Sequence, residues 1–218
     1  MKFSVLTLFP DFVESVASFS ILKKALNKNL LRLETINIRD FSTDSYHTVD
    51  DHPYGGGAGM ILKIDVLDKA LGSVKKESKG VKTVLLDARG ERFTQKKAQE
   101  FSQLDQLIIV SGHYESVDER INEYIDEKIS LGDFILTGGE IAAMAVVDAV
   151  GRLVPGVINK NSLQEESEPP FYYEYPQYTR PEVYKGSKVP QVLLSGNHAE
   201  IKKWRKENSL RNKKLRVK

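Results

Sequence analysis

The sequence contains no cysteine and little histidine. Among its 218 residues there is no Cys, and there are four His. Without thiols the chain can form neither disulfides nor thiolate metal ligands, and it has no cysteine nucleophile. Four scattered imidazoles are too few to predict a zinc site. We therefore predict no metal-binding residues.

Long apolar runs and a targeting segment are also missing. No run of about 18 or more apolar residues occurs, which excludes a membrane-spanning helix. The N-terminal segment MKFSVLTLFPDF has neither the long apolar region nor the cleavage site of a signal peptide. Hydrophobic residues make up 40% of the chain and charged residues 28%, which is typical of a soluble globular protein. We expect a cytoplasmic protein.

Positive charge is concentrated near the C-terminus. The formal net charge is +2, yet residues 196–218 contain nine Lys or Arg and two Glu. A basic segment beside a mildly acidic body suggests a polyanionic partner such as nucleic acid. On charge alone, a solvated helix with a frayed terminus is the simpler explanation.

Strand-like and helix-like segments alternate through the first 150 residues. This alternation predicts an α/β fold with a mostly parallel sheet, whose site lies at the carboxyl ends of the strands. Asp11 with Glu14, and Ser116 with Glu119, form patterns typical of helix-capping boxes. The predicted strands are 3–8, 31–38, 81–86 and 107–110, and the predicted helices are 11–29, 64–74, 94–101, 116–124 and 139–150.

Three segments, 39–59, 130–139 and 155–181, do not fit the alternation. Long irregular segments in a compact α/β domain are often functional. The third segment holds five of the eight prolines, and we expect it to lead to a small helical domain. Its position separates the two predicted domains.

The first irregular segment ends in the glycine-rich sequence PYGGGAG at 53–59. Its glycine spacing matches the start of a dinucleotide-binding loop, but no strand precedes it and no helix follows as that motif requires. A phosphate-binding P-loop is also excluded, because no Gly-Lys-Ser/Thr follows. A merely flexible loop is one interpretation. We favour a loop whose glycines let the backbone approach a ligand closely.

Two other segments are candidates for a cofactor pocket. Gly112 and Glu115 follow a predicted strand, where a ligand is expected. Segment 130–139 combines three glycines with apolar side chains, which suits a flat heterocycle such as adenine. A hairpin between two strands is the alternative interpretation of that segment.

No Ser/His/Asp order indicates a covalent hydrolase. Carboxylates and arginines near loops remain, and a carboxylate base opposite an arginine is a sound pair for proton abstraction. The candidates are Glu115, Asp118, Glu119, Arg120, Arg152, Glu165, Glu166 and Glu168.

Several long motifs occur in a fixed order. This order resembles that of the bacterial tRNA (guanine-N(1))-methyltransferase family of the SPOUT superfamily, and the resemblance covers nearly the whole chain. The motifs are HPYGGGAGM at 52–60, GHYESVDER at 112–120, SLGDFILTGGE at 130–140, YTRPE at 178–182 and LLSGNHAEI at 193–201.

The resemblance implies an enzyme that uses S-adenosylmethionine to methylate ring nitrogen 1 of guanine 37 in tRNA, next to the anticodon. It implies a deep trefoil knot in the C-terminal part of the α/β domain, and a homodimer whose active sites are shared between the chains. The implied domains are a methyltransferase domain at 1–158, a linker at 159–181 and a shortened helical tRNA-binding domain at 182–218. A divalent ion such as magnesium is compatible with this chemistry, but no motif indicates one.

The resemblance also assigns site residues. Arg152 matches the catalytic arginine, and Glu166 occupies the place of the catalytic aspartate, with Glu165 as the alternative base. The candidates for tRNA binding are Tyr54 and Gly56 of the glycine-rich loop, and Lys202, Lys203 and Arg205 of the basic C-terminal segment. Those implied for the S-adenosylmethionine pocket are Leu85, Leu86, Gly112, Glu115, Ser130, Leu131, Gly132, Asp133, Phe134, Ile135, Leu136, Gly138 and Gly139.

The chain departs from the family pattern at two pocket segments. His113 stands where the family often has Arg, and residues 86–90 replace a commoner Ser-Pro version. Two other functions remain open. One is a non-catalytic RNA-binding protein that uses the basic tail and the tyrosine-rich linker; the other is a SPOUT enzyme that modifies ribose. Titration with S-adenosylmethionine separates the methyltransferase from the pure RNA-binding protein.

Overall fold

The computed structural model describes residues 1–74, 80–159 and 175–216. The chain divides into two compact units, Met1–Lys160 and Asn161–Lys218. The larger unit carries the alternating strands and helices, and the smaller unit carries the basic C-terminal segment.

A five-stranded parallel sheet forms the centre of the larger unit. Its strand order is β2-β1-β6-β5-β8, and every neighbouring pair is parallel. The prediction of an α/β fold with a mostly parallel sheet is therefore confirmed. The strands are β1 (Lys2–Thr7), β2 (Arg32–Asn37), β5 (Val81–Arg92), β6 (Gln106–Ser111) and β8 (Glu127–Ser130).

Three short strands form a second sheet in the same unit. Strand β4 lies in the middle, antiparallel to β3 and parallel to β7. This sheet joins the segment before the glycine loop to the segment after β6. Its strands are β3 (Asp50–Asp51), β4 (Ile61–Leu62) and β7 (Ser116–Val117).

Helices cover both faces of the central sheet. One apolar core joins α1, α2, α4 and α5 to one face, and a second core joins α3 and two 3-10 turns to the other. Strand β6 is buried at all six positions, as expected for a parallel strand covered on both faces. The helices are α1 (Pro10–Ala17), α2 (Ser20–Asn27), α3 (Ile64–Val74), α4 (Gln95–Phe101) and α5 (Glu140–Gly151), and the 3-10 turns are Ile38–Phe41 and Glu119–Glu123.

The helix predicted at 11–29 is two helices, so that prediction is wrong. Phe9 is the N-cap residue of α1, and its side chain makes no capping bond. Pro10 suits the first helical position because its missing N–H has no partner there in any helix. The Glu14 side chain accepts a hydrogen bond from Thr35 instead of closing a capping box.

The prediction of a helix at 116–124 is also wrong. Ser116 belongs to β7, where it pairs with Ile61 of β4. Asp118 caps the following 3-10 turn by accepting a hydrogen bond of 3.0 Å from the Arg120 backbone N–H. Pairing with a distant strand therefore overrides the local capping pattern at Ser116.

The smaller unit contains a hairpin and a long helix. Strands β9 (Val183–Tyr184) and β10 (Ser187–Lys188) pair antiparallel. Helix α6 (Gln191–Leu194) is short, and α7 (His198–Arg216) is 19 residues long. Trp204 of α7 contacts Tyr175 and Tyr178, with ring centroids 6.4 Å apart in both pairs.

Candidate active site

A cavity of about 510 Å³ opens at the ends of β6 and β8 and beside residues 86–89 of β5. This is the carboxyl edge of the parallel sheet, where ligands bind in open α/β folds. It brings together two separate segments of the chain, 112–117 and 129–139. Its lining residues are Leu86, Asp87, Ala88, Arg89, Gly112, His113, Tyr114, Glu115, Ser116, Val117, Ile129, Ser130, Leu131, Gly132, Phe134, Ile135, Leu136, Thr137, Gly138, Gly139 and Ala142.

The two segments meet through backbone atoms at Gly139 and Gly112. The Gly139 N–H donates a hydrogen bond of 2.7 Å to the Gly112 carbonyl. A β carbon at Gly139 would lie 2.8 Å from the Gly112 nitrogen. Only glycine permits so close an approach, and this contact fixes the cavity's two sides against each other.

Segment 130–139 turns sharply at its start. The Gly132 N–H donates to Ser130 Oγ at 3.2 Å, and the Ser130 hydroxyl donates to the Gly132 carbonyl at 3.1 Å. The Phe134 ring lies close to Gly132, where a β carbon would come within 2.8 Å of the ring. Leu131 and Leu136 pack against the sheet core. The segment therefore presents an apolar wall bordered by backbone polar groups.

A buried carboxylate, that of Glu140, lies next to the cavity-lining residue His113. Glu140 is 7% exposed, and its Oε1 accepts a hydrogen bond of 2.9 Å from the Thr7 hydroxyl. Its Oε2 lies 3.9 Å from Nδ1 of His113. This nitrogen is buried and has no hydrogen-bond partner among the described residues. No sequence pattern was taken to predict a role for Glu140, although a carboxylate directly after Gly138 and Gly139 was a usable signal.

Two charged side chains of the lining, Asp87 and Arg89, form ion pairs with Lys128 and Glu119, which do not line the cavity. We call Asp87, Arg89, Glu119 and Lys128 the charged rim. Asp87 and Arg89 form a bidentate pair, with Nη2 to Oδ2 at 2.7 Å and Nε to Oδ1 at 3.1 Å. This pair lowers the pKa of Asp87 and raises that of Arg89. Glu119 accepts from Lys128 at 2.8 Å, and this bond is the main reason that its pKa falls to about 2.

A register shift in β5 creates this rim. Leu86 and Glu91 both lie opposite Ile129 of β8, so residues 87–90 bulge out of the ladder. A β carbon at Gly90 would lie 2.5 Å from the Ile129 nitrogen. Glycine is therefore needed at the point where β5 pairs with β8 again after the bulge. The strand predicted at 81–86 is therefore too short, and no role was predicted for Asp87 or Arg89.

The glycine loop lies beside the same cavity. The Glu115 N–H donates a hydrogen bond of 3.1 Å to the Met60 carbonyl. Gly59 has φ +80°, and its position leaves no room for a β carbon beside the Glu115 side chain. Tyr54 is fully exposed and Gly56 has φ +80°, but neither lines the cavity.

Two of the thirteen predicted pocket residues do not line the cavity. Leu85 is fully buried in the core on the α3 side of the sheet, because neighbouring residues of a strand face opposite ways. The Asp133 side chain is 93% exposed and pairs with Arg92 at 2.8 Å. The other eleven residues line the cavity.

Arg152, one of the two predicted catalytic residues, does not line the cavity. Arg152 is the C-cap residue of α5, whereas the cavity borders the first turn of this helix. Arg152 therefore lies about 15 Å along the helix from Ala142, the last residue of α5 that lines the cavity. Glu166 and the alternative base Glu165 lie outside the described residues.

The predicted tRNA-binding cations lie on α7. Lys202, Lys203 and Arg205 are all exposed. The Arg205 guanidinium lies 4.7 Å from the centroid of the Tyr175 ring, which is a cation–π distance. This cluster presents positive charge beside aromatic rings.

Neither a metal site nor a membrane span is found in the part of the chain that the structure describes. No three His, Asp or Glu residues there are grouped to hold a metal ion. None of its helices is long and apolar enough to cross a membrane.

Comparison with known proteins gives consistent matches over the whole chain. The family model of "tRNA (Guanine-1)-methyltransferase TrmD" matches residues 1–218. A relative from Caldanaerobacter subterraneus subsp. tengcongensis is 52% identical over 211 residues, which cover 96% of this chain and 87% of the relative. A relative from Carboxydothermus hydrogenoformans is 51% identical over 97% of this chain and 84% of its own length. A third, from Clostridium tetani, is 50% identical over 99% and 90%. All three are named tRNA (guanine-N(1)-)-methyltransferase.

Proposed function

Since the chain belongs to the tRNA (guanine-1)-methyltransferase family, we propose that its cavity binds S-adenosylmethionine for the methylation of guanine 37 in tRNA. The enzyme is a methyltransferase that acts on ring nitrogen 1 of a tRNA guanine. The observation that carries the proposed cofactor site is the cavity itself, which is formed by the glycine-bordered segments at the carboxyl edge of the parallel sheet.

The lining residues fit this cofactor in size and chemistry. A volume of about 510 Å³ lies in the range of small-molecule sites. Leu131 and Leu136 offer an apolar wall for a flat base, and the backbone of segment 130–139 offers polar groups for its edge. The close contact of Gly112 with Gly139 leaves space that larger side chains would occupy.

The reaction requires a base and a stabilised oxyanion. S-adenosylmethionine supplies a methyl group on a sulfonium, and S-adenosylhomocysteine is the product. Guanine nitrogen 1 carries a proton, and its lone pair becomes nucleophilic as that proton leaves. We propose that the Glu166 carboxylate accepts this proton as the general base. Negative charge develops on the neighbouring carbonyl oxygen, and we assign its stabilisation to the Arg152 guanidinium.

A homodimer with shared sites accounts for the position of Arg152. The first turn of α5 borders the cavity and Arg152 follows the last turn. We therefore propose that Arg152 serves the cavity of the partner subunit. Phe9, Phe12 and Val16 are each at least 39% exposed, and Phe12 and Val16 are spaced to share one face of α1. Exposed apolar residues grouped in this way are typical of protein contact surfaces.

The remaining family features belong to the same proposal. We propose that segment 130–139 and α5 belong to a SPOUT trefoil knot, which the tight backbone contact between Gly139 and Gly112 supports. We also propose that residues 182–218 form a tRNA-binding domain, with Lys202, Lys203 and Arg205 contacting phosphates. Tyr54 and Gly56 would contact the RNA from the glycine loop. A tRNA substrate also favours a cytoplasmic enzyme.

Mapping the methylated nucleotide tests the proposed function. The protein is incubated with S-adenosylmethionine and total bacterial tRNA, and modified nucleosides are located by digestion and mass spectrometry. We expect 1-methylguanosine at position 37. Methylation of a ribose would instead indicate a different SPOUT activity. Tight tRNA binding without any S-adenosylmethionine binding would indicate a non-catalytic RNA-binding protein.

A further inference from the structure

The cavity has a single strongly cationic side chain among its described lining residues, Arg89. The other ionisable side chains of the lining are Asp87, Glu115, His113 and Tyr114. A ligand with an anionic group therefore has one obvious partner in this cavity. Arg89 is not among the residues that the family resemblance assigns to the cofactor.

The guanidinium of Arg89 is held along one edge. Its Nε and Nη2 donate to the two carboxylate oxygens of Asp87, and Nη2 also donates to Oε2 of Glu119 at 3.1 Å. Nη1 makes no hydrogen bond to any residue that the structure describes. Two N–H donors of a fixed guanidinium thus remain available.

The residues behind Arg89 are themselves fixed. Lys128 lies 2.8 Å from Glu119 and 3.7 Å from Asp87, so two cations balance two carboxylates. The Arg89 backbone N–H also donates to Asp87 at 2.8 Å. A donor held in this way loses little conformational freedom when a ligand binds. Asp87, Glu119 and Lys128 are positioning residues in this arrangement.

We propose that Arg89 Nη1 binds the α-carboxylate of S-adenosylmethionine. This inference rests on the proposed function, since it assigns a group of the same cofactor. The carboxylate is the one anionic group of that molecule, whereas the apolar wall and backbone groups of segment 130–139 suit its base. A guanidinium–carboxylate hydrogen bond is charge-assisted and short, and is among the stronger polar contacts in proteins.

The test compares two ligands that differ only in this carboxylate. Isothermal titration measures the affinities of S-adenosylmethionine and its decarboxylated analogue for the wild-type protein and for Arg89→Met. We expect the wild type to prefer S-adenosylmethionine by roughly tenfold or more, the effect of one hydrogen bond to a charged group. In Arg89→Met this preference should disappear, because only the affinity for the carboxylated ligand falls. Arg89→Lys should retain part of it.

Arg92→Met is the matched control. The Arg92 side chain is 61% exposed, as is that of Arg89, and it also forms an ion pair, with Asp133. It does not line the cavity, so its removal should leave both affinities unchanged. Equal loss of preference in both variants would overturn the assignment.

The outcomes separate this assignment from the proposed function. If Arg89→Met keeps the preference while the wild type binds S-adenosylmethionine, the assignment is wrong and the cofactor site stands. If Arg89→Met keeps the preference and instead loses affinity for tRNA, the guanidinium contacts an RNA phosphate and the assignment is again wrong. If the wild type binds neither ligand, the proposed cofactor site fails, and the assignment with it.

Discussion

Gly112 lines the cavity and still has room for a β carbon. That carbon would lie 3.5 Å from the Leu86 carbonyl oxygen and 3.7 Å from Val117 Cγ1, both ordinary contacts. Gly112→Val should therefore fold normally while its methyl groups occupy cavity space. We expect these methyl groups to block the binding of S-adenosylmethionine, so that titration detects little or no binding, because a packed site does not absorb added carbon atoms without strain.

Gly72→Val is a suitable control for that experiment. Gly72 lies in α3, and a β carbon there meets nothing within 4 Å. Its affinity for S-adenosylmethionine should equal that of the wild type. Unchanged affinity in Gly112→Val would place the cofactor outside this cavity.

The second prediction at the scale of single residues concerns the proposed base, Glu166. Loss of a general base costs roughly 10²–10⁴-fold in rate. Glu166→Gln should lose single-turnover methylation in about this range and keep its affinity for S-adenosylmethionine, because the amide cannot accept the guanine proton. Glu165→Gln and Glu168→Gln serve as controls and should lose much less. Normal turnover by Glu166→Gln, with a slow Glu165→Gln, would move the role to Glu165.

At the scale of elements, the charged rim should titrate as one network. Lys128 is the main cause of the low pKa of Glu119, about 2. This folded-state pKa lies below the ordinary value of about 4.3, so the rim contacts stabilise the fold above that pH and are lost as the pH falls towards 2. In Lys128→Met the carbon-13 resonance of the Glu119 carboxyl should titrate closer to 4.3.

Arg120→Met provides the comparison for the rim. Arg120 pairs with the neighbouring Asp118 at 2.6 Å and makes no ion pair with Glu119 among the described residues. The midpoint of Glu119 should stay near 2 in this variant. An equal shift in both variants would mean that general surface charge, and not the bond from Lys128, sets the pKa.

The elements themselves were predictable where local pattern and burial agree. Helix α3 has the predicted bounds, and β1, β6 and α5 differ from theirs by one or two residues. The capping patterns at Asp11 and Ser116 failed because Pro10 and the pairing with β4 impose other conformations.

The charged rim could not be predicted, because it depends on distant residues. The bulge after Leu86 exists only through the register of β5 with β8. Arg89 reaches Glu119 across thirty positions of sequence, and no local pattern specifies such a contact. The glycine-bordered wall was recognisable because its glycines and apolar residues are contiguous in the sequence.

At the scale of the whole molecule, the separation of Arg152 from its own cavity predicts complementation between inactive subunits. Arg152→Ala removes the proposed oxyanion contact, and Gly112→Val blocks the cavity. In a mixed dimer the Arg152→Ala subunit keeps an open cavity, and its partner supplies an intact Arg152. Coexpression of the two variants should therefore restore roughly one quarter of wild-type activity, since about half of randomly paired dimers are mixed and each has one complete site.

Each variant expressed alone should remain nearly inactive, and light scattering should report a dimer in every sample. Two differently tagged chains allow the mixed dimer to be purified, and its single complete site should then give about half of wild-type turnover. If Arg152 instead serves the cavity of its own chain, neither subunit of the mixed dimer has a complete site. The purified mixed dimer would then be as inactive as its parents, and the proposal of a shared active site would be wrong.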